Sequence, residues 1–96
     1  MHYAESIEEA VKQLDNALAG FLYENRFYRR LFGVEAIKDS WGNLRIHCQQ
    51  LSQWIEHGCG VTEEMKPELV KTLFAAEKVL SDNEKYSRRK LNHYKG

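Results

Sequence analysis

The sequence predicts an all-α protein, an antiparallel bundle of three main helices over about 7–32, 41–57 and 66–80, with a short fourth helix over 82–94 as an option. Three observations carry this expectation. Apolar residues recur every three or four positions through most of the chain, the spacing that lines one face of a 3.6-residue helix. No segment of strand length alternates apolar and polar residues with period two. Capping residues and glycines fall where the apolar stripes begin and end.

The first helix opens at Ser6, with Glu9 three residues on. That spacing lets a hydroxyl and a carboxylate each satisfy a backbone N–H left over by the first turn. Ile7, Val11, Leu14, Leu18, Phe21, Asn25, Tyr28 and Phe32 then step by four and three, which places one stripe along the whole helix. Gly33 supplies the stop. Residues 34–40 read as a short turn or half-turn, with Asp39 or Ser40 capping the second helix.

Trp41, Leu44, Cys48, Leu51 and Ile55 form the second stripe. Gly42 near its start costs about 1 kcal/mol relative to Ala. Gly58 is expected to end the helix in a left-handed cap. Thr62, Glu63 and Glu64 suit a third helix start, but Pro67 is tolerated only in a first turn. The third helix therefore begins near Lys66, or a short turn precedes it. The Lys66–Pro67 bond is expected to be trans. Leu69, Leu73, Ala76 and Leu80 are the third stripe, with Val70 and Phe74 beside it. After Leu80 the apolar content falls, so 81–96 is expected to be basic and mostly solvated. Ser81 and Glu84 nonetheless keep capping-box spacing.

A chain of 96 residues fits a single domain over 1–96. Its 43% hydrophobic content suffices for one core. Formal net charge is zero, which gives no whole-molecule pull toward nucleic acid or an anionic membrane. The charges are segregated, however. Residues 1–24 carry one Lys and five Asp/Glu, and residues 81–96 carry five Lys/Arg and two Asp/Glu. No apolar run approaches the roughly 20 residues of a membrane span. The acidic opening MHYAESIEEA lacks the basic region of a signal peptide. Two cysteines do not make a disulfide framework, and the expectation is a cytoplasmic protein with reduced thiols.

The stretch IHCQQLSQWIEHGCG, residues 46–60, holds both cysteines and two of the four histidines. Zinc needs its ligands within about 2.0–2.3 Å. On one helix His47 and His57 are separated by about 15 Å of rise. No i,i+3 or i,i+4 ligand pair and no CxxC occurs. The stretch therefore reads as a helix end, with no metal and no cofactor. Cys48 acts as a small hydrophobe on the stripe. His57 opposes the negative end of the helix dipole, and Cys59 lies in the turn. There is no phosphate-cradling glycine loop, nucleophile elbow or H-E-x-x-H pattern, so no enzyme is expected.

Two segments point to binding. In FLYENRFYRRLF, residues 21–32, seven of twelve residues are aromatic or Leu. Phe21, Tyr28 and Phe32 belong to the core stripe. Tyr23, Phe27 and Leu31 form a second stripe, flanked by Arg26, Arg29 and Arg30. A helix apolar on two sides touches two things. Both are the other helices of its own bundle, or one is a protein partner or a second copy of the chain, since Tyr, Phe and Arg are enriched at interfaces. The second segment is KYSRRKLNHYKG at the C-terminus, where Arg88, Arg89 and Lys90 would meet an acidic protein surface or a phosphate backbone, or merely solvate a helix end. Trp54 lies one position off its stripe, at the core's edge or exposed as an anchor.

Arg88 and His93, with four residues between them, resemble the signature of HEPN-type ribonucleases, which are also helical. The resemblance covers these two residues. It implies a remote alternative in which they form a ribonuclease site in a cleft, usually at a dimer interface. The main expectation is a small non-enzymatic module that binds and modulates a larger protein or complex through Tyr23, Arg26, Phe27, Arg30, Leu31, Trp54, Arg88, Arg89 and Lys90. A phage- or plasmid-borne modulator of a host complex would have this style. The alternative is a nucleic-acid-binding regulator that uses Arg26, Arg29, Arg30, Arg88, Arg89 and Lys90 with interleaved Tyr and Phe.

Overall fold

The computed structural model describes residues 4–86. Among these the chain forms three helices and no strand: α1 Ile7–Phe32, α2 Glu35–His57 and α3 Lys66–Asp82, followed by a single 3-10 turn, Glu84–Tyr86. The all-α expectation with three main helices holds. Most of the expected fourth helix, 82–94, lies outside the described residues.

α1 starts as its sequence predicts. Ser6 is extended, and its hydroxyl oxygen accepts the Glu9 N–H at 3.1 Å. The Glu9 carboxylate in turn accepts the Glu5 N–H at 3.2 Å, one residue earlier than the standard box would place it. Glu8 and Glu9 in the first turn and Arg29 and Arg30 in the last both suit the helix dipole. Gly33 ends α1 at φ 83 and ψ −177, a conformation essentially confined to glycine, and its N–H returns to the Arg29 carbonyl at 2.9 Å.

Residues 34–40 are a correction to the expected turn. α2 begins at Glu35, six residues earlier than the stripe suggested, and Asp39 and Ser40 are inside it, capping nothing. The reversal is completed at Gly33, so the helix restarts at once. Ile37, fully buried, supplies the tertiary contact that sustains the extra turns. Ser40 turns its hydroxyl across to the Glu24 carboxylate on α1.

The second correction is at Gly58. It is extended, at φ −74 and ψ 144, and the left-handed residue is Gly60 at φ 82. Gly58 is required for a different reason, since a Cβ there would run into the ring and carbonyl of Trp54. A turn with the Met65 N–H on the Thr62 carbonyl, at 3.1 Å, leads into α3, and Pro67 occupies the first turn where it displaces no intrahelical bond. No cis peptide bond occurs among the described residues.

The core collects Ile7, Ala10, Leu14, Ala17 and Phe21 from α1, Ile37, Trp41, Leu44, Cys48 and Leu51 from α2, and Leu69, Leu73, Ala76 and Leu80 from α3. The α3 stripe is buried as expected. On α1 the line of deepest burial runs through Ala10 and Ala17, which leaves Val11 and Leu18 only partly covered. Tyr86 completes the core and is fully buried, against the expectation of a solvated segment after Leu80. Its ring meets Phe21 edge-to-face, with centroids 5.9 Å apart, and its hydroxyl donates to Asn25 Oδ1 at 2.6 Å.

The reach of α3 decides what is left open. The Trp41 indole N–H donates to the Leu80 carbonyl at 3.2 Å, so α3 ends level with the seventh residue of α2. The 3-10 turn then closes on Phe21 and Asn25 of α1. Past these points α1 and α2 pack only on each other among the described residues. No helix of the described residues is long and apolar enough to cross a membrane.

Candidate functional site

The final three turns of α1 carry most of the large exposed apolar side chains among the described residues, with Phe74 on α3, 64% exposed, standing apart from them. Leu31 is 73% exposed, Phe32 65%, Tyr23 54% and Phe27 49%, and Leu22 is similarly open. Tyr28 and Phe32, expected in the core, are corrected here: Tyr28 is 37% exposed and Phe32 points largely to solvent. The reason is the short third helix. Their stripe continues in register, but the element that covers it stops near Asn25. Fully burying a Leu or Phe is worth roughly 1.5–3 kcal/mol relative to exposure. At these exposures most of that is unrealised, so fold stability does not account for them.

At about 100° per residue, Tyr23, Phe27 and Leu31 fall within one arc of α1, and Arg26, Arg29 and Arg30 fill the adjoining arc. The rings form a continuous strip. Tyr23 and Phe27 have centroids 4.9 Å apart, and Tyr28 meets both Tyr23 and Phe32 edge-to-face at 5.6 and 5.7 Å. The Arg26 guanidinium sits over the Phe27 ring at 5.4 Å, a contact worth about 0.5–1 kcal/mol at an exposed site. All three arginines are exposed. Among the described residues no ion pair engages any of them.

Tyr23, Arg26, Phe27, Arg30 and Leu31 are thus brought together, as the sequence suggested. Trp54 is not. It is half-buried at the far end of α2, about 20 Å of helix rise beyond Trp41. There it lines an open hollow of about 290 Å³ with Ala4, Gln50, His57 and Cys59. It is an edge-of-core residue. Arg88, Arg89, Lys90 and His93 lie outside the described residues. Tyr86, the last described residue, is tied to Asn25, and Arg29 is one turn further along the same side of α1. Tyr86 carried no periodic signal of its own, and only the aromatic character of an otherwise polar segment hinted at burial.

The cysteines and histidines divide as a helix end would divide them. Cys48 is buried, and burial, followed by the charge of Glu77, raises its thiol to about 11. Cys59 is exposed. Burial lowers the pKa of His47. Among the described residues no three His, Cys, Asp or Glu side chains form a group that could hold a metal ion. What the α1 end can do chemically is bury apolar area and pair guanidinium groups with anions. Compared with known protein-family models, characterised proteins and solved structures, the chain finds no match.

Proposed function

We propose that this chain is a small non-enzymatic helical protein that binds and modulates a larger protein or complex, as a regulator, inhibitor or assembly factor. The observation that supports this reading is the aromatic ridge Tyr23–Phe27–Leu31 with Phe32 beside it, held open where α3 ends. Contiguous exposed apolar surface bordered by polar groups is characteristic of protein-interaction sites. Aromatic residues and arginine are also the types that dominate binding energy at interfaces.

A second reading, a nucleic-acid-binding regulator, draws on the Tyr86–Asn25 hydrogen bond. That bond sets Tyr86 beside the arginine-bearing half of α1, where Arg26, Arg29 and Arg30 are exposed to meet a phosphate backbone; Arg88, Arg89 and Lys90, which belong to the same reading, lie outside the described residues. Two features favour the protein reading. The rings already meet one another edge-to-face, which occupies faces that stacked bases would need. The most exposed member, Leu31, is aliphatic and offers no stacking plane.

The test is a nuclease-treated pull-down from the native host at moderate salt, comparing wild type with a Phe27→Ala, Arg30→Ala double variant. A specific protein retained by wild type and lost by the variant is the expected result. Recovery that disappears with nuclease, or falls steeply with salt, would replace this reading with the nucleic-acid one.

A further inference from the structure

We infer that in the isolated protein the α1 ridge is covered by a second copy of the same chain, the two related by a two-fold axis that runs along the α1–α2 hairpin. The pair goes beyond the binding of a larger partner, since it concerns what covers the ridge when the protein is alone. The Asn25–Tyr86 and Trp41–Leu80 hydrogen bonds mark the side of α1 and α2 that carries α3 and the 3-10 turn. At about 100° per residue, Tyr23 and Phe27 fall about 160° round α1 from Asn25. Ala36, Asp39 and Asn43 fall about 140–160° round α2 from Trp41. All five are exposed. They share the face of the α1–α2 layer opposite α3.

Charge makes that face complementary to itself. The Ser40 hydroxyl on the Glu24 carboxylate marks the seam between the two helices and fixes their relative level. Leu31 falls within about 20° of Glu24, beside the seam. Arg26 and Arg30 fall about 120–160° from Glu24, on the outer edge of α1. Asp39 and Glu35 fall about 100–140° from Ser40, on the outer edge of α2. Counted from the Glu24–Ser40 contact, Arg26 is level with residue 38 and Arg30 with residue 34, about 1.5 Å of rise from Asp39 and Glu35.

A two-fold axis along the hairpin lays α1 of each copy over α2 of the other at the same level. Arg26 then meets Asp39 and Arg30 meets Glu35, once on each side of the axis. The Phe27 ring lies over the small Ala36, and Leu31 approaches its own counterpart at the axis. Among the described residues no ion pair engages Arg26, Arg30 or Asp39, and Glu35 makes only an exposed one with Lys38. A two-fold axis across the helices would instead lay α1 antiparallel on α1 and set the two Arg26–Arg30 edges together, like charge against like. At about half exposure, Tyr23 and Phe27 contribute roughly 100 Å² each. Even with Leu31, Ala36 and the four charged side chains, the seat stays below the about 800 Å² per partner of a standard interface. The pair is therefore concentration-dependent, and the fold does not require it.

Sedimentation equilibrium of the full chain, from about 5 to about 500 μM, reads the association. Wild type is expected to pass from monomer to dimer, and Phe27→Ala to weaken the dimer about tenfold. An Arg26→Glu, Arg30→Glu variant and a Glu35→Arg, Asp39→Arg variant should each stay monomeric, because like charges meet at every contact. Mixed one to one, the two variants should pair about as strongly as wild type, because every contact is again opposite in sign. Circular dichroism confirms that each variant is folded.

A wild type that stays monomeric throughout would overturn the inference and leave the larger-partner reading to its own pull-down. A dimer that both charge-reversed variants retain separately, or do not regain when mixed, would also overturn it. Phe27-dependent binding of a dT oligonucleotide by a monomeric wild type would overturn it in favour of nucleic acid. A dimer that follows the charge exchange, with no protein captured in the pull-down, would uphold the inference and overturn the larger-partner reading.

Discussion

The Tyr86 hydroxyl donates to Asn25 Oδ1 at 2.6 Å across 61 positions of sequence, and the Tyr86 ring closes on Phe21. Those two contacts fasten the end of the described chain to the middle of α1. Tyr86→Phe keeps the ring and loses the donor, which should cost about 0.5–1.5 kcal/mol. Tyr86→Ala removes a fully buried ring and should cost about 3–5 kcal/mol. Urea unfolding of both variants reads the difference. A cycle with Asn25→Ala should show the two changes to be less than additive. An unaltered midpoint for Tyr86→Ala would remove Tyr86 from the core.

The division between core and ridge on α1 gives a second prediction. Leu14 is fully buried, and Leu14→Ala should cost about 2–5 kcal/mol. Phe27 is half-exposed and touches mainly Tyr23 and Arg26 of its own helix, so Phe27→Ala should cost no more than about 1 kcal/mol. Equal losses in thermal or chemical unfolding would show that Phe27 is covered in solution.

These two residues also mark how far the sequence could be read. The stripe from Ile7 to Phe21 and the α3 stripe from Leu69 to Leu80 were legible because each spacing of three or four ends in a buried contact. Tyr28 and Phe32 continue the same spacing but are exposed, because periodicity reports which face a residue occupies and is silent on how far the covering helix extends. The early start of α2 was hidden by Gly33: a glycine-only backbone turn shortens the connection in a way that residue composition does not show. Tyr86 was hidden because one buried ring in a polar segment has no period. The ridge residues Tyr23, Phe27 and Leu31 were legible as a second stripe. Whether helices or solvent covered them depended on the length of α3. Trp54 was ambiguous by one position, and the structure places it at the core's edge.

Titration of the buried groups gives a third prediction. The Cys48 thiol is raised from 9.0 to about 11, by burial first and Glu77 second. A raised pKa means the fold holds the neutral thiol more tightly than the unfolded chain does. Its contribution is complete below pH 9 and is lost as pH rises from 9 through about 11. His47 behaves oppositely, because burial lowers its pKa below 6.5. Its contribution is present above 6.5 and is lost as pH falls through the lower folded value. Stability should therefore decline at both ends. Cys48→Ala should flatten the alkaline decline and His47→Gln the acidic one, measured as unfolding midpoints against pH. At pH 8 a thiol reagent should label exposed Cys59 at once and Cys48 only on unfolding. Prompt labelling of both would contradict the burial of Cys48.

Two glycines of α1 and its end should respond with opposite sign to the same substitution. Gly20 is in the helix interior, is exposed, and has nothing within 4 Å of where a Cβ would stand. Gly20→Ala removes backbone freedom from the unfolded chain at no steric cost, so it should stabilise by about 0.5–1 kcal/mol. Gly33 also has open space around it, but its φ of 83 with ψ −177 is a conformation that side chains resist. Gly33→Ala should destabilise by about 1–3 kcal/mol. Because neither Cβ meets a neighbour, packing cannot supply the difference, and the pair isolates backbone conformation as the cause. Paired thermal melts are sufficient to read it. Equal and small shifts would mean that the chain reverses between α1 and α2 without the glycine-only turn, and the early start of α2 would lose its explanation.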